Sequence, residues 1–152
     1  MIALVQRVSE ASVEVGEETL ATIGPGVLAL VAVVRGDGDR EAARLAERVI
    51  GYRMFADAAG RMNRSLIDTG GALLAVPQFT LAADTSSGAR PSFSDAAPPE
   101  ESERLFGRFV ACAREAGVPV CVGRFRAHMK VKLVNDGPVT FWLAVPPRRR
   151  AG

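Results

Sequence analysis

Apolar and polar side chains alternate through Ile2–Val8 and again through Ser12–Val15, the two-residue period of a half-buried strand. Gly16-Glu17 predicts a turn into a further strand, ETLATI, which Gly24-Pro25-Gly26 ends. Val27–Val34 (VLALVAVV) is apolar throughout, at strand length between glycines, so it is expected to be a central strand buried on both faces. After the loop RGDGD the period changes to that of a helix. Ala42, Leu45, Ala46, Val49 and Ile50 form one stripe, with Arg40, Glu41, Arg44, Glu47 and Arg48 largely outside it. Asp39 is the expected N-cap and Gly51 the stop.

Further along, YRMFAD predicts a strand, AAGRMNRS a loop, and ALLAVPQFTL a strand whose pairing breaks at Pro77, because proline has no N–H to give a ladder. Ala83–Glu101 is polar and aperiodic, and loops of that length inside a domain are usually functional or mobile. A second helix is expected from Pro99, with Leu105, Phe106, Phe109, Val110 and Ala113 as its stripe and Gly117 as its stop. Three strands follow: VPVCVGRF, MKVKLVND and VTFWLAV, the last anchoring itself in the core. Between the final two, Gly137-Pro138 reads either as a turn or as rigid backbone held for a purpose. Many strands, helices in few places and no strict strand–helix alternation predict an α+β domain on mixed or antiparallel sheets that can curl into a barrel. Residues 1–145 form this single domain, and 146–152, PPRRRAG, form a Pro/Arg-rich tail expected to be disordered.

The 152 residues fit one domain with a real core, since a chain of this size hides roughly two-thirds of its unfolded surface. With 48% hydrophobic and 24% charged residues, disordered, collagen-like and fibrous classes fall away. A net charge of +2 is too small to argue for nucleic-acid binding by itself, so partner identity must come from motifs. Cys112 and Cys121 lie in no CxxC pair and near no histidine cluster, so they are expected to be reduced thiols without a disulfide or zinc. The N-terminal stretch lacks a basic region, a long apolar run and a cleavage site, and no segment approaches the ~20 apolar residues of a membrane span. A cytoplasmic protein without membrane contact, metal or cofactor is expected.

Candidate chemistry is sparse. His128 is the only histidine, so any Ser-His-Asp or Cys-His arrangement must use it. Alternation places His128, Lys130 and Lys132 on one face and Met129, Val131 and Leu133 on the other, which favours a solvated His128. No GxGxxG, Walker A, HExxH or GxSxG occurs. Asp37 and Asp39 lack the further ligands of a calcium loop and read as a turn. Arg148–Arg150 reads as a solvated run able to touch phosphate. PQFTL offers the Gln78 amide and the Thr80 hydroxyl beside a break in pairing, where the N–H groups of Phe79 and Thr80 can face a ligand; an ordinary strand end remains the alternative. Gly137-Pro138 permits a cis peptide without demanding one.

Together, MIALVQRVSEASV, GYRMFAD, GRMN, VPQFTLAADT, RPSF, GRF and LVNDGPVTFWL occur in order across residues 1–145 and resemble the D-aminoacyl-tRNA deacylase (D-tyrosyl-tRNA deacylase) family. The resemblance implies a homodimer of β-barrel-like subunits with two to three helices packed on one side and active sites at the subunit interface. It implies hydrolysis of the ester between a D-amino acid, or glycine mischarged on alanine tRNA, and the tRNA 3′ end. It further implies that Gly137 and Pro138 form a Gly-cisPro gate that reaches into the partner's site and leaves no room for an L side chain, and that Arg7 supports that gate. Gln78, Phe79 and Thr80 would line the pocket as catalytic residues, with Met129 beside them. Pro77 departs from the family's usual serine and is shared with a branch that clears L-alanine from threonine tRNA through a trans Gly-Pro. Relaxed chirality is therefore one alternative and a non-catalytic dimeric nucleic-acid-binding module another, although Phe79 and Arg7 follow the D-specific pattern.

Overall fold

The structure, a computed structural model, describes residues 1–148. Residues 149–152 of the expected tail, Arg149 and Arg150 among them, lie outside the described residues. The elements in chain order are β1 (Ile2–Val15), β2 (Glu18–Ile23), β3 (Gly26–Ala32), α1 (Asp39–Gly51), β4 (Phe55–Ala56), β5 (Met62–Arg64), α2 (Leu66–Thr69), β6 (Ala72–Pro77), a 3-10 turn (Phe79–Ala82), α3 (Pro99–Glu115), β7 (Val120–Val122) and β8 (Lys130–Ala144).

Long β1 organises the sheet. Along one side it pairs with β3 through Ile2–Val8 and with β2 through Ala11–Val15, and along the other it pairs with β8. These pairings are antiparallel, whereas β3–β6 and β6–β7 are parallel. Parallel neighbours need a crossover, and α1 and α3 lie in the two crossovers. The apolar alternation of each strand then separates two cores. Val27, Ala29, Val31, Leu73 and Ala75 pack toward Leu45, Val49, Leu105 and Phe109 of the helices. Their alternates Leu28, Leu74 and Val76 pack with Val8, Val13, Ile23, Val131 and Leu133 inside the curled sheet. The curl brings β2 beside β6 and β7, with an Arg124–Glu18 pair at 3.5 Å across the gap, so the architecture is α+β with a nearly closed, barrel-like sheet and helices on one face.

The sheet closes tightly where Gly26 opposes Ala72, because a β-carbon at position 26 would stand 1.9 Å from the Ala72 carbonyl oxygen. Gly26→Ala is expected to lower stability by about 3 kcal/mol, at the upper end of ordinary overpacking, since backbone cannot rotate aside. The urea midpoint measures this, and an unchanged midpoint would contradict the close approach.

Several elements differ from the sequence expectation. The two expected terminal strands are one, β8, and NDGP interrupts it without ending it. Thr140 opposes Gln6 and Asn135 opposes Val8, so Asp136–Val139 all stand opposite the single β1 residue Arg7 and must bulge from the ladder. VTFWL is only partly core: Val139 and Leu143 are buried, but Trp142 is 54% exposed because alternation turns it outward. Strand β6 stops at Pro77, and Phe79–Ala82 coils into the 3-10 turn. The N-cap of α1 is Gly38, one residue before Asp39, and its N–H donates to Glu41 Oε2 at 3.0 Å. Burial pushes the Glu41 carboxyl up, but hydrogen bonds from the Gly38 N–H and from Arg40 outweigh it and hold it below the usual range. The expected loop at AAGRMNRS contains β5, paired with β4, and α2 follows under a Ser65–Asp68 capping box, a signal present in the sequence.

In RGDGD, Asp37 is buried and accepts from the Val34 N–H at 2.8 Å and from the Met1 ammonium at 2.7 Å. Burial pushes its pKa up against these donors. No group of three or more His, Cys, Asp or Glu side chains able to hold a metal occurs among the described residues. Nor is any described helix long and apolar enough to cross a membrane, a statement about helices only.

Candidate active site

A cleft of about 430 Å³ opens where β6 ends. One wall is Pro77, Gln78 and Phe79, and the facing wall runs from Phe125 to Met129 and on to Val131. The sequence accounts for the first wall, where Pro77 ends the ladder. The Gln78 N–H still reaches the Val31 carbonyl at 2.8 Å, as though the strand continued. The chain then tightens, with Leu81 N–H bonding Gln78 O and Ala83 N–H bonding Thr80 O, both at 3.2 Å. The N–H groups of Phe79 and Thr80, at the start of this 3-10 turn, have no acceptor among the described residues. Phe79 lines the cleft and Thr80 adjoins it, so these two unsatisfied donors lie close to its wall.

Thr80 does not line the cleft itself. Its hydroxyl oxygen accepts a hydrogen bond from the Gln78 side-chain amide, which engages one of the oxygen's two lone pairs. Opposite, Gly123 makes room for Met129: a β-carbon at 123 would stand 2.8 Å from the Met129 sulfur. Phe79 is 57% exposed and packs against Phe93 with ring centroids 5.1 Å apart. Phe93 belongs to the long polar segment, which is pinned to the body rather than free. Ala97 N–H bonds Val33 O at 3.1 Å, Arg35 Nε bonds Ser94 O at 2.6 Å, and Asp84 and Ser92 exchange backbone bonds. The Ser86 side chain and N–H hold the nearby Asp84 carboxyl below its usual range.

Gly137 and Pro138 lie elsewhere. They are exposed, joined by a cis peptide, and do not line the cleft of their own chain. Arg7 fills the space behind the bulge, with Nε donating to Asp136 O and Nη1 donating to Met54 O, each at 2.8 Å. The Asn135 side chain accepts from Val139 N–H at 2.9 Å and donates to Thr140 Oγ1 at 2.9 Å, closing the base of the bulge. Gly137 has φ 148°, and a β-carbon there would come within 2.6 Å of Val139 Cγ2 and 2.7 Å of Val139 N. Only glycine fits at 137.

The structure thus brings Pro77, Gln78, Phe79 and Met129 together, keeps Thr80 adjacent, and sets Gly137, Pro138 and Arg7 apart as a braced projection. Residues 4–144 match the D-Tyr-tRNA(Tyr) deacylase family. The chain belongs to that family.

Its relatives include the D-aminoacyl-tRNA deacylase of Thioalkalivibrio sulfidiphilus, 62% identical over 149 residues, covering 98% of this chain and all of the relative. The corresponding protein of Stenotrophomonas maltophilia is 63% identical over 144 residues, covering 94% of this chain and 99% of the relative. A solved structure named c-Myc DNA Unwinding Element Binding Protein superposes with a TM-score of 0.90 at 35% identity, covering 96% of this chain and 99% of that one. The barrel-like α+β fold is therefore that of the deacylase family. Among the cleft residues that escaped the sequence reading are His128 and Arg126. His128 is exposed, as its alternation predicts, yet lines the cleft, and Arg126 lines it too. The only local signal for Arg126 is a chain reversal after Gly123, which periodicity does not register.

Proposed function

We propose that this protein hydrolyses the ester joining a D-amino acid, or glycine mischarged on alanine tRNA, to the 3′ end of tRNA. It acts in the cytoplasm as a homodimer in which the Gly137-Pro138 projection of each subunit closes the cleft of its partner. The observation that carries this reading is the separation of two prepared halves: a cleft with free N–H donors, and a rigid backbone projection that its own cleft does not use. Membership of the D-Tyr-tRNA(Tyr) deacylase family supports it.

An aminoacyl ester is already activated, so hydrolysis needs no triad. The N–H groups of Phe79 and Thr80 stabilise the developing oxyanion, each worth roughly 10²–10³ in rate for well-placed donors. The substrate's own 2′-hydroxyl, next to the ester, assists the attacking water. Gln78 orients Thr80 and so fixes the turn that presents both donors. Selectivity comes from exclusion: backbone atoms of Gly137 and Pro138 meet the α-carbon substituents of the amino acid, and a wall without rotamers rejects L chirality while ignoring side-chain identity. Pro77 and Met129 supply apolar surface on the two facing walls.

Thr80→Ala decides between backbone and hydroxyl chemistry. The proposal expects kcat to fall by no more than about tenfold, ~1.4 kcal/mol, the scale of one lost neutral hydrogen bond. Abolished turnover with tRNA binding retained would instead make the Thr80 hydroxyl the nucleophile. A chain that binds tRNA but hydrolyses no aminoacyl ester at all would be a binding module on the same fold.

A further inference from the structure

Arg126 is the one non-glycine residue with positive φ among the described residues, at 63°, a left-handed conformation in which a β-carbon is disfavoured. Such a position ordinarily takes glycine or asparagine, so an arginine standing there against local preference points to use of its side chain. It stands on the wall of the cleft, followed on the same wall by His128. Its side chain is 60% exposed, and that of its acidic neighbour, Glu100 at 3.4 Å, is 85% exposed. A long, solvated pair of this kind holds the cation weakly and yields it to a better anion. Arginine matches phosphate oxygens with a two-pronged fork, which an ammonium does not.

Resting on the deacylase reading above, we propose that Arg126 is a positioning residue that binds the phosphodiester immediately 5′ of the substrate's terminal nucleoside. With the ester held at the Phe79 and Thr80 N–H groups on one wall, the nucleoside runs along the cleft and its first phosphate leaves past the opposite wall, where Arg126 stands. Arg126 thereby sets the register of the tRNA end and lowers KM without touching the reacting atoms.

Arg126→Gly tests this, because glycine accepts the left-handed backbone and removes the guanidinium without straining the turn; its thermal unfolding should match the parent's. Initial rates are measured for parent and variant on D-aminoacyl-tRNA and on D-aminoacyl-adenosine, which carries no phosphate, over a salt series. The expected result on tRNA is a rise in KM of about tenfold with kcat within about twofold. The slope of log(kcat/KM) against log[salt] should lose about 0.7, one phosphate contact to a single strand. The loss on D-aminoacyl-adenosine should be far smaller. An unchanged KM and salt slope on tRNA, or equal losses on both substrates, would overturn the assignment of Arg126. If the parent hydrolysed neither substrate, the deacylase reading would fall, and this inference with it.

Discussion

Gly137→Ala is expected to reduce hydrolysis of D-aminoacyl-tRNA by about a hundredfold or more while the domain stays folded. The reason is geometric. At φ 148° an L side chain is disfavoured, and the added carbon would lie 2.6 Å from Val139 Cγ2, 2.7 Å from Val139 N and 3.3 Å from Arg7 Nη2. Val139 is buried and its N–H is tied to Asn135, so the base of the bulge holds its ground and the exposed tip must move. A displacement near 1 Å in a positioning element can cost roughly 10² in rate. Because Asp136–Val139 bulge from the β1–β8 ladder, the ladder on either side remains paired, and stability should fall far less than activity. Single-turnover rates set beside a thermal melt separate the two, and a Gly137→Ala protein of near-parental activity would show that the projection is not part of the site.

Arg7→Ala should produce the second largest effect, on both stability and catalysis. The side chain is only 17% exposed, and its guanidinium bridges two backbone carbonyls from different parts of the chain, Met54 in the connection after α1 and Asp136 in the bulge. Removing it strands a part-buried Met54 carbonyl, a loss of about 1–3 kcal/mol. It also frees the bulge to sample other conformations, for an expected loss of about a hundredfold in kcat/KM. Arg7→Lys should recover stability better than activity, because an ammonium on a flexible stem does not reproduce two fixed, divergent donors. Equal recovery of both would mean that Arg7 only packs.

The contrast between these residues and the rest of the chain shows what a sequence makes legible. The stripes of α1 and α3, the doubly buried run that became β3, and the break at Pro77 all follow from local rules of period and missing donors, and all are found where expected. The merging of MKVKLVND and VTFWLAV into β8 does not, because a turn-like NDGP becomes a bulge only when β1 offers Arg7 as the one opposing residue. That is a property of pairing across the whole chain. Trp142 is misplaced for a related reason: its neighbours suggest a core strand, but the face it takes depends on register. Gln78, Phe79 and Met129 share a cleft because β6 and the β7–β8 connection are neighbours in the curled sheet, and Arg126 enters it through a left-handed turn that no period announces. The family resemblance pointed to Gln78, Phe79 and Met129 but not to Arg126, while the geometry explains why Gly137 must be glycine and why Arg7 must reach two carbonyls.

The central claim is chiral discrimination by a backbone wall at an ester-hydrolysing cleft, and the most direct measurement compares initial rates on D-aminoacyl-tRNA and its L counterpart, matched in side chain and tRNA. The account predicts rapid cleavage of the D form and a rate for the L form lower by at least roughly a hundredfold, ~2.7 kcal/mol, at every side chain tested. Comparable rates on the two enantiomers, or faster cleavage of the L form, would contradict it and place this chain with a relaxed-chirality activity, in keeping with proline at position 77.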